Sequence, residues 1–247
     1  MNEGIVVTDI DKSFNDKLVL ESINLTAKHH QILGLLGPSG SGKTTLVKMI
    51  MGMTNPDNGT ITVLGNQMPN RKVLQSIGFM AQEDALYDSL SARENLRFFA
   101  ELFQINSQKV ENRINYVASI VNLVPDLNKL VSNFSGGMKR RLSLAISLIA
   151  DPEILILDEP TVGIDPELRQ QIWKELHKYR DEGKAIVITT HVMEDAAQCD
   201  QLVMIRDGRI ISSGTPIEME RTYHVNNLEE VFLAAGRNNS NENSINH

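Results

Sequence analysis

The sequence predicts an α/β fold in which a parallel sheet is preceded by an antiparallel β segment and interrupted by a helical insertion. Three observations carry that prediction. Short β-rich runs alternate with helical patterns, the signature of strand–helix–strand units. The first 27 residues differ, because two apolar runs flank a turn. From about residue 91 to 123 the apolar spacing changes to a helical period with no strand between.

In chain order, residues 5–27 read as paired strands. Ile5-Val6-Val7 and Leu18-Val19-Leu20 flank the turn-prone Asn15-Asp16-Lys17. Gln31-Ile32-Leu33-Gly34-Leu35-Leu36 is a buried strand, followed by a glycine-rich turn and a helix over residues 44–51. In the insertion, Ser91-Ala92-Arg93-Glu94 forms a capping box, and Leu96, Phe99, Leu102 and Phe103 are placed on one helical face. A helix over residues 136–150 leads to the strand Ile154-Leu155-Ile156-Leu157. Asp165-Pro166 then supplies an N-cap and a proline at the first helical position, ahead of Leu168, Ile172 and Leu176. A strand over residues 185–190 follows, then a hairpin turning at Asp207-Gly208, a type I′ pair. The asparagine-rich residues 237–247 read as a disordered tail.

Composition narrows the function classes. The chain has 247 residues and a net charge of −7, which disfavours a nucleic-acid binder. Its longest apolar runs fall far short of the roughly 20 residues needed to cross a bilayer, and residues 1–4 have no signal-peptide character. The single cysteine, Cys199, excludes an internal disulfide and a thiolate metal cluster. The cytosol is the expected compartment.

Gly37-Pro38-Ser39-Gly40-Ser41-Gly42-Lys43-Thr44 matches GxxxxGK[ST] between a buried strand and a helix, the context its mechanism requires. Glycines let backbone amides converge on phosphates, and the helix N-terminus adds a favourable dipole. Lys43, expected to face solvent, reaches the β- and γ-phosphates, and Thr44 offers a hydroxyl to Mg²⁺. The fold class is therefore a P-loop NTPase core. A second site follows the strand at Asp158-Glu159-Pro160. Asp158 at the strand tip can hold Mg²⁺ directly or through water, and Glu159 beside it can act as a general base for water attack on the γ-phosphate.

Phe134-Ser135-Gly136-Gly137-Met138-Lys139-Arg140-Arg141 begins a helix, with Ser135 placed 23 residues before Asp158. With the two other motifs in this order, it resembles the signature of ATP-binding-cassette (ABC) ATPases over residues 5–236. The resemblance implies further roles. Gln82 matches the family glutamine, a catalytic and Mg²⁺-facing residue, and His191 matches the switch histidine. Phe14 resembles the adenine-stacking aromatic, and Thr45 joins the nucleotide-binding loop. Ser135, Gly136 and Gly137 would cover ATP held by another subunit, and Gly163-Ile164-Asp165 resembles the D-loop, although Asp165 is also a plain N-cap.

Phe134 and Met138 depart from the common LSGGQ signature. SGGM followed by Lys-Arg-Arg, and the ending Leu228-Glu229-Glu230-Val231-Phe232-Leu233, look like the daunorubicin-resistance-type exporter branch. The family pattern implies ATP and Mg²⁺, two cassettes per working unit in a head-to-tail homodimer, and no nucleic acid. It also implies a separate permease that docks at the insertion, about residues 83–150, and a peripheral place on the cytoplasmic face of the membrane. An importer's ATPase is the alternative, and a soluble non-transport ABC ATPase is the remote one.

Overall fold

A computed structural model describes residues 3–15, 17–83 and 85–245, with the backbone alone for residues 238–245. Asp16 of the first turn, Asp84 of the segment after Gln82, and residues 1, 2, 246 and 247 lie outside the described residues.

A four-stranded antiparallel sheet begins the chain, in the order β2-β1-β4-β5: β1 (Glu3–Phe14), β2 (Lys17–Lys28), β4 (Asn58–Val63) and β5 (Asn66–Gln67). Val7 pairs with Leu25 on one side and Ile61 on the other, and all three point into the core. The pairing of β1 with β2 shifts register after Val7, and Asp9 and Ser22 have positive φ there. These bulges change the alternation, so Val7 and Ile10 are both buried although three positions apart.

The second sheet runs β10-β9-β3-β8-β7-β6. Its strands are β3 (Gln31–Leu36), β6 (Ile77–Met80), β7 (Ile154–Asp158), β8 (Ala185–Thr190), β9 (Gln201–Arg206) and β10 (Arg209–Gly214). All neighbours are parallel except the β9–β10 hairpin, whose turn residues Asp207 and Gly208 both have positive φ, as a type I′ turn demands. The central strands are covered on both faces, so their middles are apolar, with polar residues only at the ends. Successive side chains alternate between two cores. Leu33, Leu35, Ile154, Ile156, Ala185 and Val187 pack toward the first sheet and α1 (Lys43–Ile50). Ile32, Leu36, Leu155, Leu157, Ile186 and Ile188 pack toward the remaining helices.

Those helices are α2 (Ala92–Leu102), α3 (Ser107–Ile120), α4 (Gly136–Leu148), α5 (Pro166–Asp181), α6 (Met193–Ala196), α7 (Pro216–Tyr223) and α8 (Leu228–Ile245). The expected capping box forms at α2, with the Ser91 side chain accepting from the Glu94 amide and Glu94 accepting from the Ser91 amide. The predicted core face of α2 holds at three of its four positions, since Leu96 is buried and Phe99 and Phe103 pack against the core, and fails at Leu102. Ala92, Asn95, Leu96 and Ala100 are buried, whereas Leu102 is 60% exposed. Leu102 ends its helix and lies outside the stripe set by Leu96 and Ala100, so no neighbour covers it.

The α8 backbone is helical through Ile245. Val231 and Ala235 anchor the helix in the core, and once nucleated each further residue adds a backbone bond. Strands β4, β5 and β6 and helices α6, α7 and α8 went unassigned in the sequence. The first four are two to six residues long, too short to establish a period.

Candidate active site

The motif residues converge because four adjacent parallel strands, in the order β3-β8-β7-β6, end at the same edge of the sheet. Beyond β3 lies the loop 37–42, beyond β8 comes His191, beyond β7 Glu159, and beyond β6 Gln82. Ligands of open α/β sheets bind outside such carboxyl ends.

In the loop, Gly42 has φ 105 at the N-cap of α1, a conformation that L side chains rarely adopt, and a Cβ there would strike the Leu20 side chain. Lys43 is not the solvent-facing charge that the sequence reading expects, because it is only 5% exposed. Its ammonium donates to the carbonyls of Gly37 at 2.7 Å and Pro38 at 3.0 Å. Burial lowers its pKa, and the nearby Glu159 and Asp158 charges oppose that shift. The backbone curls around the lysine, so the loop's own carbonyls satisfy the charge.

A cleft of about 260 Å³ is lined by Ser39, Gly40, Gly42, Lys43, Thr44, Thr45, Gln82 and Glu159, with Val19 from β2. Val19 was not anticipated, since it reads as an ordinary strand residue. A larger cleft of about 880 Å³ runs along α5 past Arg169, Trp173 and Gln198, but it holds none of the motif residues, so size does not locate the chemistry.

Asp158 is buried behind the cleft. Its Oδ1 accepts from the Thr189 hydroxyl, while Oδ2 has no hydrogen-bond partner among the described residues. Thr44 and Gln82 line the cleft, and a carboxylate, a hydroxyl and an amide oxygen are the donor types that suit a hard cation such as Mg²⁺. The Ser41 hydroxyl is likewise buried and unsatisfied among the described residues.

Glu159 has φ 53, and its amide donates to the Thr189 carbonyl at 3.1 Å. Its Oε1 lies 2.8 Å from Nδ1 of His191. A carboxylate only accepts, so Nδ1 carries the hydrogen. Pairing of Asp158 with Thr189 in the β7–β8 ladder sets this contact.

The other predicted residues do not line the cleft. Gly37 and Pro38 contribute backbone and do not line it. Phe14 is 47% exposed at the end of β1, with Lys12 Nζ 5.2 Å from its ring centroid. Ser135 caps α4 by accepting from the Met138 amide at 3.3 Å, and a Cβ on Gly136 would meet open space. A Cβ on Gly137 would lie 3.6 Å from the Gly163 carbonyl, so the signature turn and the D-loop of one chain are neighbours. Asp165 accepts from the Leu168 amide at 3.0 Å as the N-cap of α5.

Together the doubly covered sheet, the phosphate loop and the strand-end carboxylates define a nucleotide-binding domain of the P-loop class. The ABC transporter family profile matches residues 20–162, more than half of the chain. The chain belongs to the ABC transporter family and is an ABC ATPase, the ATP-binding component. The chain is 42% identical over 219 residues to the Nod factor export ATP-binding protein I of Rhizobium etli, covering 87% of this chain and 69% of that protein. The protein of the same name from Rhizobium meliloti is 43% identical over 86% of this chain and 64% of its own length. The chain thus spans about two thirds of these relatives.

Among solved structures, an ATP-binding subunit of an ABC transporter superposes with a TM-score of 0.88 at 24% identity, covering 94% of this chain and 99% of that one. At that identity it supports the fold alone. CbiO1 from Clostridium perfringens, described as part of the ABC transporter complex cbiONQ, matches with a TM-score of 0.78 and 28% identity over 90% and 92% of the two chains.

Proposed function

We propose that this chain is the ATP-hydrolysing subunit of an exporter, working as a head-to-tail homodimer on the cytoplasmic face of the membrane beneath a separate permease. The observation that carries the reading is the meeting of Lys43, Thr44, Gln82 and Glu159 in one cleft, with His191 bonded to Glu159. Residues 1–236 form the cassette, with residues 83–150 as its helical insertion.

Backbone amides of residues 37–42 and the Lys43 ammonium hold the triphosphate. Binding exchanges the lysine's two carbonyl contacts for phosphate oxygens. Thr44, Gln82 and Asp158 are the residues that would hold Mg²⁺, which when bound would supply charge neutralisation at the phosphates. Glu159 takes a proton from the attacking water, and His191 keeps its carboxylate aimed. Phe14 stacks on adenine. Ser135, Gly136, Gly137 and Asp165 act across the dimer, in keeping with a cleft in their own chain that they do not line. A single chain is then nearly inactive.

Export, and the daunorubicin-resistance branch within it, draw support from the SGGM signature, the C-terminal LE-x-VF-L pattern and the export function in the relatives' names. The permease docks on the segment after Gln82. Tyr87 is 46% exposed and packs edge-on to Phe98 at 4.9 Å, and buried Asn95 ties the Tyr87 backbone to α2 through bonds of 2.9 and 3.1 Å. An exposed aromatic pair on a fixed backbone is a ready partner surface.

Glu159→Gln tests the reading. It should bind ATP as wild type does, lose about 10²- to 10⁴-fold in hydrolysis and accumulate as a dimer in light scattering. Near-wild-type hydrolysis by a monomer would remove Glu159 as the base.

A further inference from the structure

The Lys-Arg-Arg run after the signature turn has no role in the chemistry above, yet its middle residue has an unusual set of partners. Arg140 lies in the first turns of α4, the helix capped by Ser135. Its Nη1 donates to the carbonyl oxygens of Ala81 at 2.7 Å and Gln82 at 3.0 Å. Its Nη2 donates to the carbonyl oxygens of Asp158 and Glu159, the latter at 2.9 Å. One guanidinium therefore reaches four carbonyls on the exits of two adjacent strands.

Those four peptides carry the groups that must face one phosphate. Glu159 has φ 53, outside the region an L residue prefers, so its turn needs fixing from outside. Its amide is held by Thr189, and its carbonyl by Arg140. Gln82 follows a four-residue strand at the sheet edge and is held through its carbonyl by the same nitrogen that holds Ala81. The planar fork of a guanidinium suits four acceptors in two pairs, whereas an ammonium is a point charge that cannot span them.

We propose that Arg140 is a positioning residue for ATP hydrolysis. It locks the Gln82 and Glu159 backbones into one frame, so that amide and carboxylate face the same γ-phosphate. It also joins that frame to the signature turn at the start of α4. In a head-to-tail dimer, a change in one chain's signature turn thereby reaches that chain's own Glu159 and Gln82. The proposal rests on the ATPase reading, but its residues lie outside the phosphate loop, so the two can fail separately.

The test uses the full chain with Arg140→Ala, Arg140→Lys and the double variant Arg140→Ala/Glu159→Gln. Labelled-ATP binding should stay within about twofold, since the four carbonyls that Arg140 holds belong to residues 81, 82, 158 and 159 and not to the phosphate loop, while kcat falls about a hundredfold, the scale of an ångström-level misplacement. Arg140→Lys should restore less than about a tenth of the lost rate. Added guanidinium at low, non-denaturing concentration should partly rescue Arg140→Ala and leave wild type unchanged. In single turnover, adding Arg140→Ala to Glu159→Gln should cost clearly less than it costs wild type, because one of the two groups it aims is already gone.

A kcat within about threefold of wild type in Arg140→Ala overturns the proposal. So does a loss of ATP affinity and thermal stability that accounts for the whole rate loss, or full multiplication of the two effects in the double variant. A wild-type chain that neither binds nor hydrolyses ATP overturns the ATPase reading itself.

Discussion

Asp195 joins three parts of the chain that only folding brings together, and its removal should be costly. It is 2% exposed. Its Oδ1 accepts from Trp173 Nε1 on α5 at 2.8 Å, and its Oδ2 accepts from the hydroxyl of Thr161, two residues past Glu159. Asp195→Ala leaves both donors buried without an acceptor, at about 1–3 kcal/mol each. Arg169, whose Nε is 4.0 Å away and whose side chain is 29% exposed, adds little. The expected loss is about 3–5 kcal/mol, or a fall in Tm of about 6–20 °C for a chain of this size. Trp173 is the sole tryptophan, so its emission during thermal or guanidinium unfolding reports from beside the perturbation. Asp195→Asn keeps the volume and one acceptor, so it should lose roughly half as much. A Tm within about 2 °C of wild type for Asp195→Ala would refute the claim that these bonds hold the segment.

Lys43→Ala should abolish labelled-ATP binding and, with it, the rise in Tm that ATP confers on wild type. Retained ATP stabilisation would remove the lysine from the phosphate site. The capping box at α2 makes a pH prediction. Hydrogen bonds from the Ser91 amide and hydroxyl hold the Glu94 carboxyl below its ordinary value. Its contribution is therefore complete above the ordinary carboxylate pKa and is lost as pH falls through the lowered folded value. Glu94→Ala should be less stable than wild type at neutral pH, with the gap closing in acid. A gap that stays constant into acid would show that the carboxylate's charge is not what caps the helix.

Much of the site was legible because its parts are local. The loop 37–44 carries its own geometry, with glycine where φ is positive and lysine one residue past the N-cap. The caps at Ser91 and Asp165 are likewise read from a few neighbouring residues, and both form. The burial of Lys43 was not legible, since nothing local says that a loop will curl its carbonyls around the side chain. The same holds for Leu102, whose exposure depends on which neighbour fails to reach it. Strand β6, four residues long, has no period to read, although Gln82 rides on its end.

By itself the sequence determined which residue types stand at strand ends and helix starts, and so the class of chemistry. Turn conformation and capping depend on φ, ψ and side chains only a few positions apart. Tertiary structure decided which of those ends meet. The order β3-β8-β7-β6 and the Asp158–Thr189 register place His191 against Glu159, 32 residues away. The same order lays Ala81, Gln82, Asp158 and Glu159 side by side under Arg140. Such pairings follow from how two cores share one sheet, a balance over the whole chain that no short stretch encodes.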